Sequence, residues 1–274
     1  MEWIDDIEEK YIETNGIKLH TIIIGKGEPL ILLHGFPDFW YGWKELVPLI
    51  KDKFQLIIPD MRGYNLSDKP EGIENYRIEL LIEDIIGIID QLHFGSVYLA
   101  GHDWGGVLSW FIAEKYPNKI RKLGIINAPH LKIFQERVKY DEAQKKASSY
   151  IYNFLKPNGE RVLIADNFKL LRAGFKDQDQ ETEDKYVKAW SNGTIKCGVN
   201  YYRANLDYED WSGIINVPTL VIHGMKDNSI LPGVLEGLEE YVKNLKIIRP
   251  KTLGHSPMKE DPQLISNIFL KFFI

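Results

Sequence analysis

Five residues restrict this chain more than any others: Gly101-His102-Asp103-Trp104-Gly105. The apolar run 97–100 precedes them and a helix-like stretch, 107–116, follows. A buried strand that passes through a sharp turn into a helix, with a small residue on either side of the turn, is a nucleophile elbow, which exposes the central side chain at the top of a sheet. The residue at the tip is Asp103 rather than the more usual serine. A carboxylate is a poor acyl-transfer catalyst but a good nucleophile toward an electrophilic sp³ carbon. Attack leaves an alkyl ester on the protein, which water must then cleave. A fold that layers strands and helices is therefore required, together with a base that activates water.

The rest of the chain reads as the alternation that such an elbow needs. Residues 10–14 and 17–24 flank Asn15-Gly16, a two-residue hairpin signal. The short apolar runs 30–33 and 56–59 suit buried parallel strands, with a helix expected between them at 43–51. Over 78–92, Leu81, Ile85, Ile88, Ile89 and Leu92 share one helical face. Further strands are expected at 123–127, 217–222 and 245–248, with a helix between the last two and a closing helix at 261–273. The expected architecture is α/β: a mainly parallel eight-stranded sheet with helices on both faces. The stretch 131–211 breaks the alternation. It is helical in character, polar and rich in aromatics, from Phe134 and Tyr140 to Tyr208 and Trp211. It reads as an inserted helical cap over a core made of 1–130 and 212–274, placed at the carboxyl ends of the strands where open α/β sheets bind ligands.

Composition narrows the partners. With 274 residues and a net charge of −5, the chain suits one α/β domain with an insertion and has no electrostatic reason to bind nucleic acid or an anionic membrane. The single Cys197 excludes an intramolecular disulfide and suits a reducing compartment. The acidic start, Met1 to Asp6, lacks the features of a signal peptide, and no apolar run approaches the roughly 20 residues of a membrane span, so a cytoplasmic protein is expected. No His/Cys cluster has metal-ligand spacing, and Gly101 to Gly106 lacks the spacing of a dinucleotide fingerprint, so neither metal nor cofactor is expected. Composition does not choose between a monomer and a homo-oligomer.

Chain order supplies the elbow's partners. His255 lies between the last strand and the last helix, where the base belongs. Asp227 follows the strand that ends at Ile222 and emerges at the same sheet edge; its bland reading is a turn or helix-cap residue. The preceding strand ends at Asn127, which cannot serve as an anionic orienter. Ester hydrolysis builds a tetrahedral oxyanion, for which the backbone N–H groups of Trp104 and Phe36 are the expected donors. Pro37 makes a cis peptide after Phe36 a candidate. Of the 7 histidines, His102 is expected to point away from the tip and His34 to lie behind the oxyanion loop, while His20, His93, His130 and His223 read as structural. Asp38 is expected to brace the oxyanion loop through His34 or Trp40, and the 62–68 loop to pack near the site.

The leaving group separates the candidate reactions. Halide needs N–H donors shaped as an anion pocket, whereas an epoxide's alkoxide calls for an acid, and tyrosines of pKa about 10 are suitable. The segments His34-Gly35-Phe36-Pro37-Asp38-Phe39-Trp40, residues 60–67, Gly101-His102-Asp103-Trp104-Gly105-Gly106 and Gly254-His255 resemble the epoxide hydrolases of the α/β-hydrolase superfamily, over essentially the whole chain. The resemblance implies the α/β-hydrolase fold, a small apolar epoxide as substrate and two cap tyrosines on the epoxide oxygen, here Tyr150 and Tyr202; Tyr152 and Tyr201 are their neighbours. A haloalkane dehalogenase is the alternative, with Trp104 as one halide donor and Trp190 as a second, since Phe36 has no side-chain donor. Trp104 also stands where fluoroacetate dehalogenases carry Arg, and a serine esterase is excluded at Asp103. A non-catalytic small-ligand receptor on the same fold is the remaining reading; an intact Asp103, Asp227 and His255 argues against it.

Overall fold

The computed structural model describes residues 6–175, 178–210 and 213–274. Trp211 and Met1 to Asp5 lie outside the described residues. The strands are β1 (Glu8–Thr14), β2 (Ile17–Ile24), β3 (Glu28–Leu33), β4 (Phe54–Pro59), β5 (Val97–His102), β6 (Ile120–Ile126), β7 (Thr219–Ile222) and β8 (Leu245–Ile248), in the sheet order β1-β2-β4-β3-β5-β6-β7-β8. Asn15 and Gly16 both take positive φ, 49° and 77°, the backbone twist that a two-residue hairpin loop needs, and they join antiparallel β1 and β2. β2 and β4 are antiparallel, and every other pairing is parallel.

Alternation along the strands builds two cores. Ile31 and Leu33 of β3 face one side with Leu99 and Ile125; Leu30 and Leu32 face the other with Ile126, Phe269 and Phe273. The first side is covered by α2 (Ile78–Gln91) and α3 (Trp104–Lys115), the second by α1 (Val47–Ile50) and α12 (Pro262–Phe273). The helix expected over 43–51 is shorter than its apolar pattern suggests. Trp40–Trp43 is a 3₁₀ turn, and α1 starts at Val47 because Pro48 has no N–H and fits only a first helical turn.

Between β6 and β7 the chain leaves the sheet for α4 (Leu131–Tyr140), α5 (Glu142–Ala147), α6 (Ser149–Leu155), α7 (Arg161–Arg172), α8 (Gln180–Ala189) and α9 (Ile195–Asn205), with no strand among the described residues. α10 (Leu238–Tyr241) and α11 (Pro257–Glu260) lie on either side of β8. Because β3, β5, β7 and β8 run parallel, the residues that follow each of them emerge at one edge of the sheet. Among the described residues no helix is long and apolar enough to cross a membrane.

The 62–68 loop ties the insertion to the core. Arg62 Nε and Nη2 donate to the two oxygens of Asp84 on α2 at 2.7 and 2.6 Å, and both side chains are buried. Asn15 of the β1–β2 turn donates to the same carboxylate, and Tyr201 of α9 donates its hydroxyl hydrogen to the Arg62 carbonyl at 2.7 Å. Removing one partner would strand a buried charge. Arg62→Met is expected to lower the unfolding free energy by about 3–5 kcal/mol at neutral pH. Urea denaturation checks this, and adding Asp84→Leu should recover most of the loss.

Candidate active site

Asp103 caps α3 with φ 51° and ψ −123°, a backbone region that non-glycine residues rarely enter, at a cost of about 1–3 kcal/mol. Two glycines make the turn possible by close approach. A Cβ on Gly105 would lie 2.3 Å from the Leu33 carbonyl oxygen, and one on Gly35 would lie 2.3 Å from the Asp103 Cβ. The Gly35 turn brings the Phe36 N–H to Asp103 Oδ1 at 2.8 Å, and the Trp104 N–H lies near enough to lower the pKa of the same carboxylate. The Phe36–Pro37 peptide is cis. Burial raises the pKa of Asp103 above its ordinary value; the His255 charge and the Phe36 and Trp104 N–H groups offset that only in part.

Asp227 is 2 % exposed and fully partnered. Its Oδ2 accepts from His255 Nδ1 and from Asn127 Nδ2, both at 2.7 Å, and its Oδ1 accepts from the N–H groups of Ser229 and Ile230 at 2.8 and 3.0 Å. Burial pushes this carboxyl up, but its hydrogen bonds and the imidazole hold it well below the usual carboxylate range. With Asp227 accepting, the proton of neutral His255 sits on Nδ1, so Nε2 presents a lone pair 3.7 Å from Asp103 Oδ2. His102 packs beneath, its ring 4.9 Å from that of His255, and its Nε2–H donates to the His255 carbonyl at 2.8 Å. Burial lowers His102 to about 3, which keeps it neutral.

The opposite wall comes from the insertion. Tyr150 on α6 and Tyr202 on α9 line a cavity of ≈ 40 Å³ with Asp103, Trp104 and apolar side chains such as Val107, Leu131, Phe134 and Ile230. The Trp104 ring meets that of Tyr202 edge-on at 5.0 Å. Burial, then the nearby Asp103 carboxylate, raises the pKa of Tyr150, and burial raises that of Tyr202. Phe154 packs against both rings at 5.4 and 5.2 Å. Arg203 explains the pairing of a tyrosine with a following arginine. It donates to the Phe154 and Lys156 carbonyls at 2.9 and 3.0 Å, so α9, which carries Tyr202, caps α6, which carries Tyr150. The neighbouring tyrosines point elsewhere: Tyr201 to the Arg62 carbonyl, Tyr152 largely to solvent.

The seven residues expected from the sequence are thus brought together: Asp103, Trp104, Tyr150 and Tyr202 line the cavity, the Phe36 N–H reaches Asp103, and Asp227 holds His255, whose Nε2 faces Asp103. Other expectations are corrected. Asp38 does not bond to His34 or Trp40; its carboxylate accepts from Tyr186, Lys259 and the Phe39 N–H. The Trp40 N–H goes instead to Asp60, and His34 Nε2 accepts from the Met61 N–H. Trp190, the second donor that a halide pocket would need, gives its indole N–H to the Pro37 carbonyl at 2.7 Å. Asn127 is the residue that sequence reasoning undervalued: set aside because it is not an acid, it is a donor to the acid.

His255 lies above its ordinary pKa of 6.5, because the hydrogen bond and charge of Asp227, with the charge of Asp103, outweigh burial. A raised folded-state pKa means that the imidazolium's contribution to stability is fully present below 6.5 and is lost as pH rises through the raised value. In NMR titration of the free protein, His255 should titrate above 6.5, and Asp227→Asn should move the midpoint down. An unmoved midpoint would separate Asp227 from the base.

Comparison with known proteins bears on the family and the fold. The alpha/beta hydrolase fold family matches residues 28–262. The chain is 34% identical to the AB hydrolase superfamily protein YfhM of Bacillus subtilis (strain 168), covering 98% of this chain and 99% of that one. It is 33% identical to epoxide hydrolase 4 of Mus musculus, covering 95% and 77%. Among solved structures, an epoxide hydrolase from Bacillus megaterium superposes with a TM-score of 0.91 at 34% identity, over 96% of this chain and 99% of that one. The chain belongs to the epoxide hydrolases of the α/β-hydrolase superfamily.

Proposed function

We propose that the protein converts an apolar epoxide and water to a vicinal diol through an ester on Asp103, with residues 131–211 acting as a cap. The observation that carries this reading is the cavity that two phenols line together with a buried carboxylate. Oδ1 stays on the Phe36 N–H, and Oδ2 attacks a ring carbon from the side opposite the departing oxygen. The C–O bond breaks, and the oxygen takes a proton from the Tyr150–Tyr202 pair. A phenol whose pKa burial has raised keeps its proton until a strongly basic alkoxide develops.

In the second stage His255 Nε2 takes a proton from water as the water oxygen bonds to Cγ of Asp103. The oxyanion forms at the Phe36 and Trp104 N–H groups. Asp227 stabilises the imidazolium and fixes its tautomer. Collapse breaks the ester C–O bond, the imidazolium returns its proton to the leaving diol oxygen, and the acid proton left on Asp103 restores the tyrosine. The sum is epoxide plus water to diol, with no cofactor. The engaged Trp190 N–H supports this reading over halide release. A structure of the Bacillus megaterium enzyme is a complex with its product (R)-3-[1]naphthyloxy-propane-1,2-diol, which supports aryl-bearing substrates for this chain as well.

Styrene oxide should yield diol, while 1-bromobutane should release no halide under the same conditions; halide without diol would reverse the assignment of the tyrosines. Asp103→Ala should abolish turnover with the fold intact by circular dichroism. His255→Gln should still be alkylated but stall, so intact-protein mass spectrometry should detect one substrate mass added. Tyr202→Phe and Tyr150→Phe together should slow ring opening by about 10²–10⁴-fold, the usual worth of a positioned acid.

A further inference from the structure

A half-buried ion pair lies near His255, lining a different cavity from the one that the tyrosines line. Asp38 is 6 % exposed, and its Oδ2 accepts from Lys259 Nζ at 2.5 Å. Its Oδ1 accepts from the Tyr186 hydroxyl at 2.6 Å and from the Phe39 N–H at 3.0 Å. Lys259 also donates to the Tyr186 oxygen at 3.0 Å, so the three groups close a ring of hydrogen bonds. Three separate pieces of chain meet there. Asp38 ends the turn that begins at Gly35, its N–H donating back to the Gly35 carbonyl at 2.9 Å. Lys259 is on α11, which starts two residues after His255 and has its own N–H on the Ser256 carbonyl at 2.9 Å. Tyr186 is on α8, and the end of that helix leads to Trp190, which holds the Pro37 carbonyl.

We propose that Lys259 is a positioning residue for ester hydrolysis: through Asp38 it fixes the loop that carries the Phe36 N–H relative to the loop that carries His255. The inference rests on the reaction proposed above. Only Pro37 separates Asp38 from Phe36, so a shift of the carboxylate moves the amide. Ring opening draws on Asp103 and the tyrosines, which line the other cavity. The Phe36 N–H stabilises the ground-state carboxylate of Asp103 as well, so loosening it does not slow attack on the epoxide. Ester hydrolysis needs that N–H at the oxyanion and the His255-bound water on the same carbonyl at once. Misplacement of one relative to the other therefore falls on this half-reaction.

Single-turnover kinetics with styrene oxide separate the two stages. In Lys259→Met, alkylation should stay within about two-fold of wild type while ester hydrolysis slows by about ten-fold, the scale of a misplaced oxyanion donor. In the steady state kcat and KM should fall together, leaving kcat/KM nearly unchanged as ester accumulates. Lys259→Arg keeps the countercharge and should restore hydrolysis to within about three-fold. Equal slowing of both stages, or unchanged hydrolysis, would overturn the proposal, since a merely structural lysine would not divide them. Should Lys259→Met fail to fold, Tyr186→Phe removes one hydroxyl from the same ring and should produce the same split at about three-fold, the scale of one hydrogen bond; uniform or absent change there overturns it equally. Absence of diol from wild type together with no adduct on His255→Gln would instead overturn the epoxide reading, and this proposal with it.

Discussion

A carboxylate at the end of β5, removed from water and facing backbone N–H groups, is the condition on which the site depends. Burying such a charge is costly unless donors and countercharge replace its hydration. Here the Phe36 and Trp104 N–H groups and the His255 imidazole do so. The N-terminus of α3 adds the favourable end of a helix dipole. The surrounding construction follows from that placement: a residue at positive φ, glycines wherever another backbone or side chain must pass within van der Waals distance, and a loop after β3 folded back over the tip. Compensation is incomplete, since the Asp103 pKa remains raised, and an under-solvated carboxylate is the more reactive nucleophile.

The sheet and the insertion contribute opposite halves of the proposed chemistry. The groups on which the proposed ester hydrolysis draws (Asp227, Asn127, His102, His255) come from strand ends and the loops after them. The groups suited to a departing oxygen come from α6 and α9. These halves must keep register although they belong to different layers. Among the contacts that link them are Tyr201 to the Arg62 carbonyl, Asn205 to the N–H of Ile78, Trp190 to the Pro37 carbonyl, and the Asp38–Lys259–Tyr186 ring. Within the insertion, Arg203 holds the two tyrosine-bearing helices together. The reactive side chains touch substrate space, while the polar groups behind them set where they stand.

Burial favours the protonated form on both sides, but hydrogen bonds and the imidazole reverse it at Asp227. Asp227 is buried with four donors and stays ionised, so it can carry the imidazolium that hydrolysis creates. Tyr150 and Tyr202 are shielded by apolar walls beside a carboxylate, and burial holds their protons on. An acid that releases its proton only to an alkoxide and a base that charges readily are the pair that epoxide opening and ester cleavage call for in sequence.

Much of this was legible in the sequence, because the strongest constraints are local. The elbow, the hairpin at Asn15-Gly16, the eight strand-like runs and the late histidine follow from short-range patterns of glycine, apolar residues and chain order. The one helix misjudged, at 43–51, failed at Pro48, where a local rule outweighed the apolar pattern. Asn127 and Asp38 were misread for another reason. The value of a polar side chain lies in which donor or acceptor sits opposite, and their partners are about 100 and 148–221 positions away along the chain. The fold, the sharp turn at Asp103 and the chain order of Asp227 and His255 came from the sequence, since strand, turn and helix are set by neighbours in the chain. Tertiary structure alone decided that Asn127 serves Asp227, that Trp190 is spent on Pro37, and that Lys259 closes on Asp38, since those pairings exist only where separate loops converge over the ends of parallel strands.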